Sequence, residues 1–191
     1  MSDPWTIRHE HPEDAPLVEA LNRETFGPGR FARAAFRLRE GVQQDARLSF
    51  IAIEGGLLRG SVRFWPVVIG NTPALMLGPL AVQSDQRGRG IGIALMQRGL
   101  DEARSAGHRF IVLVGDLPYY SRVGFSRIPF ANPREGEEKA PPSSRVRFPG
   151  PVDPARILGI ALNGASLDDL SGSVRRARID DPVCADGAAL A

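Results

Sequence analysis

The stretch DQRGRGIGIALM, residues 85–96, sets Arg87 and Arg89 among three glycines on alternate positions, then runs into apolar residues. Each glycine loses more backbone freedom on folding than any other residue, so three together need a conformational or contact reason. One reason is an anion. A helix start leaves its first N–H groups without intrahelical partners, and its dipole favours negative charge. Bare backbone at Gly88, Gly90 and Gly92 would let a pyrophosphate reach the amides around Ile91, with Arg87 and Arg89 adding charge-assisted hydrogen bonds. The other reason is a tight strand-to-helix connection with no ligand, and the glycines by themselves fit both equally. A Walker A loop ends in Gly-Lys-Ser/Thr, whereas the chain's one lysine is Lys139. A dinucleotide fingerprint started at Gly88 needs a third glycine where Ile93 stands, and five residues separate the preceding strand from Gly88.

Other groups able to do chemistry are scattered. Tyr119 and Tyr120 sit side by side, with Asp116 before them and Arg122 after. Glu24, Glu54 and Asp116 are candidate bases; Glu54 falls at a hairpin turn, where exposure is expected, and Asp116 also suits a cap for a short helix. Arg30, Arg33 and Arg37 read as a solvated basic face. His9 and His11 alternate along an extended stretch as metal ligands sometimes do. Third and fourth ligands are not evident, because His108 reads as a charge at a helix C-terminus and the single cysteine, Cys184, lies in an Ala-rich tail. No metal site is expected.

The elements that must carry these groups follow from periodicity. Residues 5–8 alternate like a short strand, and residues 13–26 place Leu17, Val18, Leu21 and Phe26 on one helical face, with Asp14 supplying a cap. A second, arginine-rich helix is expected over 28–40. Three strand-like runs, 48–54, 58–69 and 74–82, are separated by Gly55-Gly56 and GNTP and read as an antiparallel meander. From Gly90 to Ala106 small and apolar residues cover about half of a helical wheel, and Gly107 is a C-terminal cap. The run 109–115 reads as a buried strand, so strand, helix and strand form a parallel pair. A short helix at DLPYY and a strand at Phe125 follow, then a Pro/Gly-rich loop over 131–151, a strand over 155–162 and a disordered tail over 179–191.

Composition sets the outer limits. A chain of 191 residues with 42% hydrophobic and 24% charged content reads as one globular domain, residues 4–178. Net charge is only +2 and no block of like charges occurs, so nucleic acid is not an expected partner. Neither a signal peptide nor about 18 consecutive apolar residues is present, which gives the expectation of a cytoplasmic protein without a membrane partner.

The ordered set LGPLAVQSDQRGRGIGIALMQRGLDEARSAGH and YYSRVGF resembles the GNAT family of acyl-CoA N-acyltransferases, and within it the bacterial subgroup carrying GPLAV and YYxRxGF. Arg87, Gly90 and Gly92 match the family's R/Q-x-x-G-x-G/A turn; Tyr120, Gly124 and Phe125 match its Tyr-x-x-x-Gly-Phe element. The resemblance covers roughly residues 5–130. It implies a mixed, mostly antiparallel twisted sheet with a splayed central parallel pair and flanking helices, and Pro79, unable to donate to a ladder, would mark a bulge that helps the strands part. It implies acetyl-CoA as co-substrate, held by the backbone of Leu80, Ala81 and Val82 and by the turn of Arg87, Gly88, Arg89, Gly90, Ile91 and Gly92. An amide near Val82 would polarise the thioester, and Tyr120 would protonate the leaving thiolate or else pack as an aromatic lid. The acetyl group would pass directly to a small-molecule or peptide amine in a ternary complex. The resemblance also implies that the segment of Arg30, Arg33 and Arg37 lines the acceptor cleft. A homodimer is compatible with this reading. The rivals are a non-catalytic CoA sensor and a scaffold whose glycine turn is only structural.

Overall fold

The computed structural model describes residues 4–28, 34–129, 145–178 and 181. Nine strands, β1 (Thr6–His9), β2 (Phe50–Glu54), β3 (Leu57–Ile69), β4 (Thr72–Val82), β5 (Phe110–Val114), β6 (Ser126–Arg127), β7 (Val146–Arg147), β8 (Ile157–Ala161) and β9 (Gly172–Arg176), form the sheet. Four helices accompany them: α1 (Ala15–Phe26), α2 (Ala34–Arg37), α3 (Ile91–Ser105) and α4 (Leu117–Tyr120). The strand order is β1-β2-β3-β4-β5-β8-β6, with β9 on the far part of β3 and β7 on β9. The meander β2-β3-β4 is antiparallel and β4 runs parallel to β5, as the sequence predicts.

Alternation explains why these strands are so apolar. Phe64, Leu75, Leu77, Ile111 and Leu113 pack with α3 on one face. Their sequence neighbours Trp65, Ala74, Met76, Phe110 and Val112 belong to a second cluster, which puts them on the other face. A strand buried on both faces needs a continuous apolar run, which is what residues 110–114 supply. In α3 the expected arc is buried, except that Ile93 is only partly covered. Gly99 admits the ring of Phe64, which a Cβ there would displace; the close neighbour is this side chain, not a second backbone. The helix ends as expected, with Gly107 in the left-handed region at φ 80°.

Several expectations fail for local reasons. Leu17 is 59% exposed, because α1 buries the narrower stripe of Val18, Leu21 and Asn22. Asp14 does not cap α1 with its side chain. Its carboxylate takes the Arg8 fork at 2.6 and 2.8 Å and the His11 amide at 2.8 Å, which holds it well below the usual carboxylate range. His11 therefore stands at the start of a 3-10 turn and not on β1 beside His9. The helix expected over 28–40 is α2 followed by a turn among described residues, and Arg30 and Arg33 lie outside them. Strand β7 falls inside the segment expected to be loop, paired in parallel with β9. Residues 130–144 and most of the tail are outside the described set. Asp181, within that tail, accepts the Arg175 fork at 2.7 and 2.9 Å.

Candidate active site

The site begins where β4 leaves β5. Only Leu75↔Ile111 and Met76↔Val112 pair across them, so the edge of β4 from Leu77 onward parts from β5, which keeps β8 on its other side. The β3–β4 register shifts at the same point. Gly78 and Pro79 together stand opposite Arg63, between the pairs Phe64↔Leu77 and Val62↔Leu80. This is the expected bulge at Pro79. The Gly78 carbonyl accepts the Trp65 indole N–H at 2.6 Å, which fixes the kinked strand from below.

Past the bulge, backbone direction separates three neighbours. Gln83 N–H donates to Arg59 O at 3.0 Å, and amides alternate sides along a strand, so Ala81 also turns to β3, opposite Ser61. Leu80 and Val82 therefore present their N–H and C=O groups to the open edge. Ala81, expected to share that role, is corrected to a ladder residue with a buried side chain.

The glycine turn follows. Gly88 and Gly90 have φ of 82° and 87°, and a Cβ on either would meet nothing within 4 Å. Their backbone conformation needs glycine, and the space above them is open. No side chain caps α3, so the amides after Gly90 remain available. Gly92 is different: a Cβ there would collide with the Tyr119 hydroxyl. A cleft of about 540 Å³ runs over this turn, lined by Arg87, Gly88, Gly90, Gly92, Tyr119 and Arg122 among others. Among the described residues neither Arg87 nor Arg122 is ion-paired. Arg89 does not line the cleft. Its guanidinium binds Glu54 at 2.7 and 3.1 Å and also Gln86. Glu54, expected to be exposed, bridges Arg89 and Arg59; the Arg89 hydrogen bonds hold its carboxyl below the usual range.

Tyr120 stands where this cleft meets a second one. Its ring packs edge-on against Tyr119 at 5.3 Å and Phe125 at 6.0 Å, and it covers Gly115, where a Cβ would strike the ring. Burial, then the nearby Tyr119 and Asp116, pushes its hydroxyl up to about 12, so it holds its proton at neutral pH. Asp116 begins α4 through its backbone; its side chain pairs with Arg156 at 3.1 Å and caps nothing.

The second cavity, about 370 Å³, lies between α1, α2 and the bulge and is shared by Leu80 and Tyr120. Phe26, Phe36 and Trp65 give it aromatic walls; Glu19, Asn22, Arg39, Glu40 and Arg63 supply its polar groups. None of the three candidate bases, Glu24, Glu54 or Asp116, lines it, and Arg37 faces a different groove with Arg175 and Arg178. Arg63 is 5% exposed and donates Nε to Glu10 at 2.8 Å and Nη1 to Glu19 at 2.6 Å. Burial pushes its guanidinium down and the two glutamates more than offset this, leaving it above its ordinary value. Sequence reasoning missed this wall. The available signals were an arginine between the apolar Val62 and Phe64 of β3 and an asparagine four residues after Val18, on the buried stripe of α1.

The profile of the acetyltransferase (GNAT) family matches residues 15–125. An uncharacterised N-acetyltransferase, YhbS of Escherichia coli strain K12, is 33% identical over 165 residues, 84% of this chain and 92% of its own. The chain belongs to the GNAT acetyltransferase family. Two solved GNAT structures resemble it over nearly their whole length. The E. coli YhbS structure in complex with CoA is 29% identical with a TM-score of 0.69, covering 93% of each chain. A GNAT acetyltransferase from Brucella melitensis in complex with acetyl-CoA is 27% identical with a TM-score of 0.62, covering 91% of this chain and 96% of its own. The mixed sheet with its parallel β4–β5 pair is thus the GNAT architecture. Among the described residues no group of three or more His, Cys, Asp or Glu side chains could hold a metal ion, and no helix is long and apolar enough to cross a membrane.

Proposed function

We infer that this GNAT member, acting through one acyltransferase domain over residues 4–178, moves an acetyl group from acetyl-CoA directly to an amine. The observation that carries the reading is that two cavities meet at Leu80 and Tyr120, one running over an open glycine turn and the other enclosed by α1 and α2. One ligand in each cavity is the geometry of a ternary complex. The cleft fits a CoA pyrophosphate on its own terms: left-handed Gly88 and Gly90 with open space above them, uncapped amides at Ile91 and Gly92, and the cations Arg87 and Arg122. The open edge of Leu80 and Val82 would pair with the amides of the cofactor's arm.

Bound acetyl-CoA supplies the activated thioester; the chain supplies position, a donor and a proton. The Val82 N–H, directed to the open edge, would stabilise the developing oxyanion. Tyr120, neutral at pH 7, would give its proton to the departing thiolate. Glu19 is held in an ion pair by Arg63, and the amine's proton leaves through solvent in the second cavity. The YhbS and Brucella complexes with CoA and acetyl-CoA support the cofactor assignment. A cytoplasmic protein acting on small-molecule or peptide amines accords with this chemistry.

The test is thiol release from acetyl-CoA across a panel of amines, with both substrates varied. Intersecting initial-rate lines are expected for direct transfer. Parallel lines, or no release with any amine while acetyl-CoA still binds, would favour a covalent route or a sensor instead.

A further inference from the structure

Asn22 is 3% exposed, lines the 370 Å³ cavity, and among the described residues neither its Nδ2 nor its Oδ1 has a hydrogen-bond partner. A buried carboxamide left unpaired costs the desolvation of both groups, and native proteins keep such groups where something else satisfies them. The Arg63 guanidinium, which lines the same cavity, bonds Glu10 and Glu19 and not Asn22. A donor and an acceptor lie side by side in a pocket walled by Phe26, Phe36 and Trp65. A neutral amide, with its own donor and acceptor side by side, satisfies both at once. A carboxylate brings acceptors only and leaves Oδ1 unpaired. It also meets an unfavourable field, because with Glu10 balancing Arg63, the carboxylates Glu19 and Glu40 outnumber Arg39 around the cavity. The same field favours a ligand bearing an amine.

Resting on the acetyltransferase reading, we propose that Asn22 is the specificity-determining residue of the acceptor site, and that the acceptor is an apolar-bodied primary amine carrying a neutral amide. An aminoacyl amide and the first peptide bond of an apolar peptide N-terminus share that chemistry. The cavity lies near the small end of ligand sites, which suits one apolar side chain and one amide.

Four probes with one side chain test this on the full chain: phenylalaninamide, the tripeptide Phe-Ala-Ala, phenylalanine and phenethylamine. In the wild type, kcat/KM for the amide or the tripeptide should exceed that for phenethylamine and for phenylalanine by at least about tenfold. If the tripeptide leads, the source is a peptide end; if phenylalaninamide leads, it is a small molecule. Asn22→Leu should bring the four probes within about threefold of one another. The same change removes an unpaired polar group, so its melting temperature should hold or rise, whereas a structural role for Asn22 would lower it. The proposal is overturned if the wild type treats phenethylamine or phenylalanine as well as the amide, if N22L keeps the preference, or if none of the four releases thiol. An acetyl-CoA-dependent melting shift, or release with other amines, would show the acetyltransferase reading surviving such a failure. The wild-type comparison stands even if N22L does not fold.

Discussion

Gly88, Gly90 and Gly92 lie within five residues and answer to different needs. The first two hold a left-handed backbone under open space, and the third leaves room for the Tyr119 hydroxyl. The spacing in the sequence showed that bare backbone was wanted but could not separate these causes, since φ is not visible in a residue type. Gly90→Val should cost about 1–2 kcal/mol from the left-handed conformation. It should also abolish acetyl-CoA binding while leaving a folded protein by circular dichroism; wild-type affinity in that variant would remove the pyrophosphate from the turn. Tyr120 was legible from its place before Gly124 and Phe125, whereas its environment was not. With its hydroxyl pushed up to about 12, Tyr120→Phe should lower kcat about 100-fold or more. The ratio of wild-type to Y120F rates should stay level from about pH 6 to about pH 10, because the proton is lost only above that range. A ratio that collapses near pH 8, or a Y120F rate equal to wild type, would leave Tyr120 as packing. Arg89 shows the limit of reading charge from sequence. Its carboxylate partner, Glu54, is 35 residues away and became its neighbour only through the meander.

At the scale of elements, the strands and α3 were legible because each carries a strong period, and the β4–β5 divergence was foreshadowed by Pro79. The wall of the second cavity was not, because it joins residues from β1's end, α1 and β3 that share no local pattern. The Glu10–Arg63–Glu19 bridge holds α1 against the bulged part of β3 across 53 and 44 residues. Breaking it at the buried end by Glu10→Ala leaves Arg63 with one half-exposed partner and should cost about 3 kcal/mol in urea unfolding. A loss under about 1 kcal/mol would contradict the bridge as drawn. Strand β9 has its own clasp, where the Arg175 side chain and the Arg178 amide hold the Asp181 carboxyl at about 2. Since the folded value lies below the unfolded one of about 4, the clasp stabilises above pH 4 and its contribution is lost as pH falls towards 2. Asp181→Asn should therefore melt below wild type at pH 7, with the two curves converging near pH 2. Curves that differ equally at both pH values would rule out this clasp.

The molecule as a whole places a parted strand pair between two cavities, and Leu80 and Tyr120 belong to both. That arrangement follows from the order of elements: a meander ending in a bulge, a helix whose start is bare, and a return strand that pairs with β4 for only two residues. The family motifs made the glycine-turn side readable in the chain, while the second cavity depends on tertiary neighbours and emerged only in three dimensions. Acetyl-CoA binding at the glycine turn is the central claim, and its most direct measurement is the melting temperature of wild type and Gly90→Val across an acetyl-CoA titration. At hundredfold excess over its dissociation constant, a ligand specific for the native state adds about 2.7 kcal/mol. For a domain of this size that is a rise of about 5–10 °C in the wild type, with none in the variant. A wild-type melting temperature that stays flat through millimolar acetyl-CoA, or a Gly90→Val protein that shifts equally, would contradict the account.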